Sequence, residues 1–90
     1  MNVIPFARPA PTGPVVVAEV ARLASFLPGW LLEVHYADDG RPSVSAEHRL
    51  TRRVVGAHWD DTGHWAVLAE SGVLMTSAPD LASALQSALT

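Results

Sequence analysis

The sequence predicts an α+β fold: an N-terminal helix, a meander of four or five antiparallel strands, and a C-terminal helix, with both helices on one face of the sheet. Three observations lead there. Apolar residues recur at helical spacing near the two ends, at Val16, Val20, Leu23 and Leu27 and again at Leu81, Leu85 and Leu89. Between them the apolar period is two, as in strands with one buried face. Three polar triplets closed by glycine, Asp38-Asp39-Gly40, Asp61-Thr62-Gly63 and Glu70-Ser71-Gly72, punctuate this middle region as hairpin loops.

The chain has 90 residues, enough for one domain and little more. At 49% hydrophobic and 17% charged, with three Trp, it has the material for a packed core. Residues 1–13 read as a Pro-rich extended arm and residues 14–90 as a single α+β domain. Pro5, Pro9 and Pro11 fix φ and remove N–H donors, which argues against helix or central strand in the arm. Its apolar Val3, Ile4 and Phe6 are expected to lie on the domain or on a second subunit.

The first helix is expected from Pro14 to Leu27. Thr12 or Gly13 serves as N-cap, Val16, Val20, Leu23, Ala24 and Leu27 form the inward face, and Pro28-Gly29 ends it. From Trp30 onward, turn length decides strand register. A three-residue loop at Asp38-Asp39-Gly40 pairs Val34 with Val44, Leu32 with Ala46 and Tyr36 with Pro42. A two-residue turn would set Val34 against Ser45, so the hydrophobic pattern selects the longer loop. The same reasoning at Asp61-Thr62-Gly63 sets Trp59 opposite Trp65, Ala57 opposite Val67 and Val55 opposite Ala69, a continuous apolar face. A final hairpin returns along Val73 to Ser77. Ser77-Ala78-Pro79-Asp80 then reads as a capping box with Asp in place of Glu, opening a helix whose inward face is Leu81, Leu85, Ala88 and Leu89.

Composition excludes several function classes. With no Cys there are no disulfides, thiolate metal sites or cysteine nucleophiles, which suits the cytoplasm. No basic stretch followed by an apolar run suggests secretion, and no apolar run approaches membrane-spanning length. Nine acids against six arginines give a formal charge of −3, without the cationic field of a nucleic-acid binder. No phosphate loop, dinucleotide fingerprint or serine elbow is present. The chain is expected not to be an enzyme and to need no cofactor.

The densest chemistry is His58-Trp59-Asp60-Asp61-Thr62-Gly63-His64-Trp65. His58, Asp60 and His64 share the face away from the tryptophans and could together hold Zn²⁺ or support general-base chemistry. Turn chemistry explains the aspartates equally well. Glu33, His35, Ser43, Ser45 and Glu47 fall on that same outer face. Arg49, Arg52 and Arg53, with Arg41 further back, make the middle of the chain locally basic.

The ending, DDTGHWAVLAESGVLMTSAPDLASALQSAL, resembles the strand, turn, strand, helix close of HicB-type antitoxins over about a third of the chain. It departs from that pattern where Glu70-Ser71-Gly72 stands in place of a Pro-Gly-Cys turn. The whole chain resembles in type the small inhibitors carried by phages and other mobile elements, anti-CRISPR proteins among them. The expected function is therefore a non-catalytic protein-protein interaction module, an inhibitor or regulator acting by occlusion or bridging, with a homodimer as a further expectation. Its partner-binding residues are expected to be Glu33, His35, Arg41, Glu47, Arg49, Arg52, Arg53, His58, Asp60 and His64. Two alternatives stand beside it: an antitoxin-like or nucleic-acid-associated regulator using Arg49, Arg52 and Arg53, and a metal-binding or hydrolytic protein using His58, Asp60 and His64.

Overall fold

The computed structural model describes residues 9–60 and 62–89. In chain order they form α1 (Gly13–Ala24), β1 (Trp30–Tyr36), β2 (Pro42–His48), β3 (Val54–Trp59), β4 (Trp65–Ala69), β5 (Leu74–Ala78) and α2 (Leu81–Leu89). The strands make one five-stranded sheet in sequence order, every neighbouring pair antiparallel. Helix α1 packs chiefly against β1, and α2 against β5 and β4. Of the sequence expectations, Val3, Ile4 and Phe6 of the arm and Asp61 of the second loop lie outside the described residues.

Helix α1 begins at Thr12, whose backbone is extended and whose carbonyl accepts the Val16 N–H at 3.1 Å. The run Val15-Val16-Val17 is stiff at χ1 and gives the helix little intrinsic support, so burial of one face decides the matter. Val16, Val20 and Leu23 supply that face. The helix stops at Ala24, three residues earlier than the sequence suggests. Ser25 and Phe26 donate their N–H groups to the carbonyls of Arg22 and Leu23, at 3.3 and 2.9 Å, and Ser25 Oγ also donates to Arg22 at 2.7 Å. This tighter last turn carries Leu27 into the core and leaves Ala24 exposed.

The first two hairpins have the expected registers, with Val34 opposite Val44 and Trp59 opposite Trp65. Three loops repeat one design. Residues Ala37, Asp60 and Ala69 each donate N–H across the loop, to Arg41, His64 and Val73 at 3.0, 2.9 and 2.8 Å. Gly40, Gly63 and Gly72 occupy the left-handed position at φ 84, 90 and 90°. An L side chain there is strained by roughly 1–2 kcal/mol, which explains why glycine closes all three triplets. The third ladder departs from the simple continuation. Leu68 pairs with Leu74 but Val67 pairs with Thr76, so Met75 is an extra residue and β5 is bulged.

The β2–β3 connection uses different chemistry. His48 Nδ1 accepts the N–H groups of Leu50 and Thr51, both at 3.2 Å, and Arg52 closes the loop at φ 62°. The His48 ring stands edge-on to Trp30, centroids 4.9 Å apart. Arg49 ties this loop to the connection between α1 and β1, its N–H reaching the Gly29 carbonyl at 2.9 Å and its Nε the Pro28 carbonyl at 3.0 Å.

Helix α2 corrects the capping-box expectation. Ser77 stays in β5, and Asp80 is the cap: its Oδ2 accepts the Ser83 N–H at 2.9 Å and its carbonyl the Ala84 N–H at 3.2 Å. The inward face is Leu81, Ala84 and Leu85, with Ala88 and Leu89 partly buried beside them. Between helices and sheet lies one core in which Trp59 and Trp65 meet edge-to-face, centroids 5.7 Å apart. Among the described residues no polar or charged side chain is buried.

Candidate functional site: the open face of the sheet

Alternation fixes what the helices leave uncovered. Because Leu32, Val34 and their partners point into the core, Leu31, Glu33 and His35 on β1 point out. Cross-strand pairing assembles these residues into rows. One row runs His35, Ser43, His58, Ala66 and Ser77; the next runs Glu33, Ser45, Gly56, Leu68 and Leu74; a third holds Leu31, Glu47 and Val54. The surface is mixed. Leu31 and Leu74 are 47% and 58% exposed, while Ser43, Ser45, Glu47 and Leu68 are half-buried by their neighbours.

Two imidazoles lean over the middle row. His35 Nε2 lies 2.8 Å from Ser45 Oγ and 3.8 Å from Glu33 Oε2. On the other side, a Cβ added at Gly56 would meet His58 Nε2 at 3.0 Å, so glycine makes the room in which that ring lies along its own strand. The Glu33, His35, Ser45 set lacks the arrangement of a catalytic triad. A triad places the acid on the imidazole nitrogen away from the serine, whereas here both groups approach the same Nε2.

Asp60 and His64 do not join this group. Asp60 Oδ1 accepts the N–H groups of His64 and Thr62, both at 2.9 Å, and the Thr62 hydroxyl at 2.7 Å. The His64 N–H bond, with help from Thr62, holds the Asp60 carboxyl below the usual carboxylate range. His64 Nδ1 lies 3.2 Å from the Thr62 hydroxyl. The aspartate is therefore occupied by the turn, and His58 lies on the sheet while Asp60 and His64 close its end. Among the described residues no group of three or more His, Cys, Asp or Glu side chains could hold a metal ion.

The arginines are dispersed as well. Arg41 sits in the β1–β2 hairpin, 3.8 Å from Asp39, at the end of the sheet that also carries Asp60 and His64. Arg49, Arg52 and Arg53 lie at the opposite end. Arg49 holds the Pro28 carbonyl, Arg52 pairs with Glu47, and Arg53 reaches the Met75 sulfur at 3.8 Å. Only Glu33, His35, Glu47 and His58 of the expected set share the central open face. A shallow cleft at its margin brings His35, Ser43 and His58 together with Arg41 and the exposed ring of Tyr36.

Sequence reasoning missed one contributor. Leu74 belongs to the open face, and the Glu70-Ser71-Gly72 loop carried the signal, since a three-residue loop sets it opposite Leu68. His48 lies outside this face: it pairs with Trp30 on the helix-covered side and caps the β2–β3 loop.

The described residues thus form a two-layer α+β meander, with one sheet face covered by helices and the other left open by them. No family model matches the chain, and no curated protein or solved structure matches it. At the C-terminal end, β4, a turn, β5 and α2 follow in the order expected from the sequence. Among the described residues no helix is long and apolar enough to cross a membrane.

Proposed function

We propose that this chain is a non-catalytic protein-binding module, an inhibitor or regulator that occludes or bridges a macromolecular partner with the open face of its sheet. The observation that carries this reading is the uncovered face itself. Apolar Leu31, Val54, Leu68 and Leu74 stand interspersed with Glu33, His35, Ser45 and His58 on one sheet face. Transient interfaces have this character, being about as apolar as ordinary surface and relying on complementary polar groups for specificity.

The enzymatic alternative draws no support from the geometry, since His58, Asp60 and His64 are not assembled and the His35–Ser45 pair has no orienting acid. The nucleic-acid alternative is weakened by the separate protein partners of Arg49, Arg52 and Arg53. The test compares immobilised wild type with a Glu33→Lys/His58→Ala double variant in extract of the native host, read by quantitative mass spectrometry. A protein held by wild type and depleted on the equally folded double variant is the expected result. Equal retention on both baits, or capture that disappears with moderate salt and nuclease, would overturn the reading.

A further inference from the structure

We infer that the outer edge of β5 is a docking site for a second copy of this chain, joining two five-stranded sheets into one across a two-fold axis. This edge is a different surface from the open face, and the inference stands whether or not that face binds a partner.

Among the described residues β1 and β5 are the edges of the sheet, and each presents a row of backbone donors and acceptors without a neighbouring strand. Native proteins commonly guard such edges with charge. Strand β1 is guarded in this way: it carries Glu33 and His35 and turns into Asp38-Asp39. Pairing with its own copy about Glu33 would set two carboxylates opposite one another. From Ser71 through Pro79, by contrast, no residue is charged. Leu74 and neighbouring Val73 are 58% and 63% exposed there.

The bulge selects the occupant. In an antiparallel ladder hydrogen-bonded and non-bonded pairs alternate, and Ala69 with Val73 is a bonded pair. The next pair, Leu68 with Leu74, is then non-bonded, so the N–H and C=O of Leu74 turn away from β4. Counting from the bonded pair Asp60 with His64 across β3 and β4 gives the same result for Ser77, opposite Ala66. Leu74 and Ser77 are thus the outward residues. Because Met75 is the extra residue of the bulge, they stand three apart instead of the usual two.

An ordinary extended strand has its outward groups two apart and would meet only one of these positions in register. A second β5 has the same spacing of three. Related by a two-fold axis between Met75 and Thr76, Leu74 of one copy pairs with Ser77 of the other, and Ser77 with Leu74. Each pair can exchange two backbone hydrogen bonds. The side chains agree with this register: Leu74 and Ser77 both lie on the open face, neither strand contributes a charged residue, and the contact is isologous as closed dimers require. The two open faces would become continuous across the axis.

The experiment uses the full chain and its lack of cysteine. Sedimentation equilibrium of wild type should give twice 9.6 kDa, and Leu74→Lys/Ser77→Lys should give 9.6 kDa with an unchanged far-ultraviolet spectrum. Deleting residues 2–11 should leave the dimer intact. As an independent readout of register, Leu74→Cys/Ser77→Cys should form a covalent dimer under mild oxidation, whereas Leu74→Cys alone should form markedly less. A monomeric wild type would overturn the inference. So would a dimer that survives the lysine pair but is lost on deletion of the arm, or equal crosslinking by the single and double cysteine variants.

Discussion

Replacing Trp65 with Ala tests the core where it is most concentrated. Trp65 is 3% exposed and lies edge-to-face on Trp59. A tryptophan buries roughly 200 Å² of largely apolar surface, worth about 5 kcal/mol at about 25 cal/mol per Å². Compactness of the unfolded chain lowers that figure to about 3–5 kcal/mol, the range usual for such truncations. A domain of this length is stable by only about 5–13 kcal/mol, so the variant should sit near the limit of folding. Urea denaturation followed by circular dichroism should give this loss, and the thermal midpoint should fall by roughly 15–30 °C. Trp65→Phe keeps a ring against Trp59 and should cost less than half as much. Leu50, 87% exposed, serves as the internal comparison, with Leu50→Ala expected within about 0.5 kcal/mol of wild type. A cost for Trp65→Ala below about 1 kcal/mol would refute the register that brings the two indoles together.

Further outcomes follow from the loops and the open face. His48→Ala removes the acceptor of two loop N–H groups and the edge contact with Trp30, and should cost about 1–3 kcal/mol in a denaturant titration; His48→Asn should recover part of it. Gly72→Ala, which meets no steric neighbour, should still lose about 1–2 kcal/mol to backbone strain, measured the same way. The folded-state pKa of Asp60 is lowered, so its contribution to stability is complete above the unfolded-state pKa and is lost as pH falls through the folded-state value. Asp60→Asn should therefore lower the thermal midpoint at neutral pH and narrow its gap from wild type as the solution is acidified. Glu33→Lys should leave the urea midpoint unchanged within about 0.5 kcal/mol of stability while weakening partner binding in a pull-down.

The parts of the fold legible in the sequence were those set by local rules with few alternatives. A glycine-closed triplet admits one hairpin geometry, and a register slip by one residue would have turned one of Val34 and Val44, or one indole of the Trp59–Trp65 pair, toward solvent. The end of α1 was less legible, because Ala24 suits either face and the tightened turn at Ser25 depends on Leu27 finding the core. The bulge at Met75 was hidden for a similar reason: Leu74, Met75 and Thr76 alternate in no way that marks an extra residue. Of the candidate site, Glu33, His35, Glu47 and His58 followed from strand alternation. The positions of Asp60 and the arginines were less legible, because sequence spacing does not show which side chains their own loops will occupy. Asp60 binds three donors of its turn, and Arg49 is held by the carbonyl of a residue 21 positions earlier.

The most direct measurement places a photoactivatable crosslinking residue at Ser45 or Ala66 on the open face and, separately, at Val17 or Gln86 on the helices, where both side chains are exposed. Each variant is irradiated with the partner captured from the native host. Covalent capture from Ser45 and Ala66, with none from Val17 or Gln86, is the result expected if the uncovered sheet face is the binding surface. Capture from the helical positions alone would contradict it.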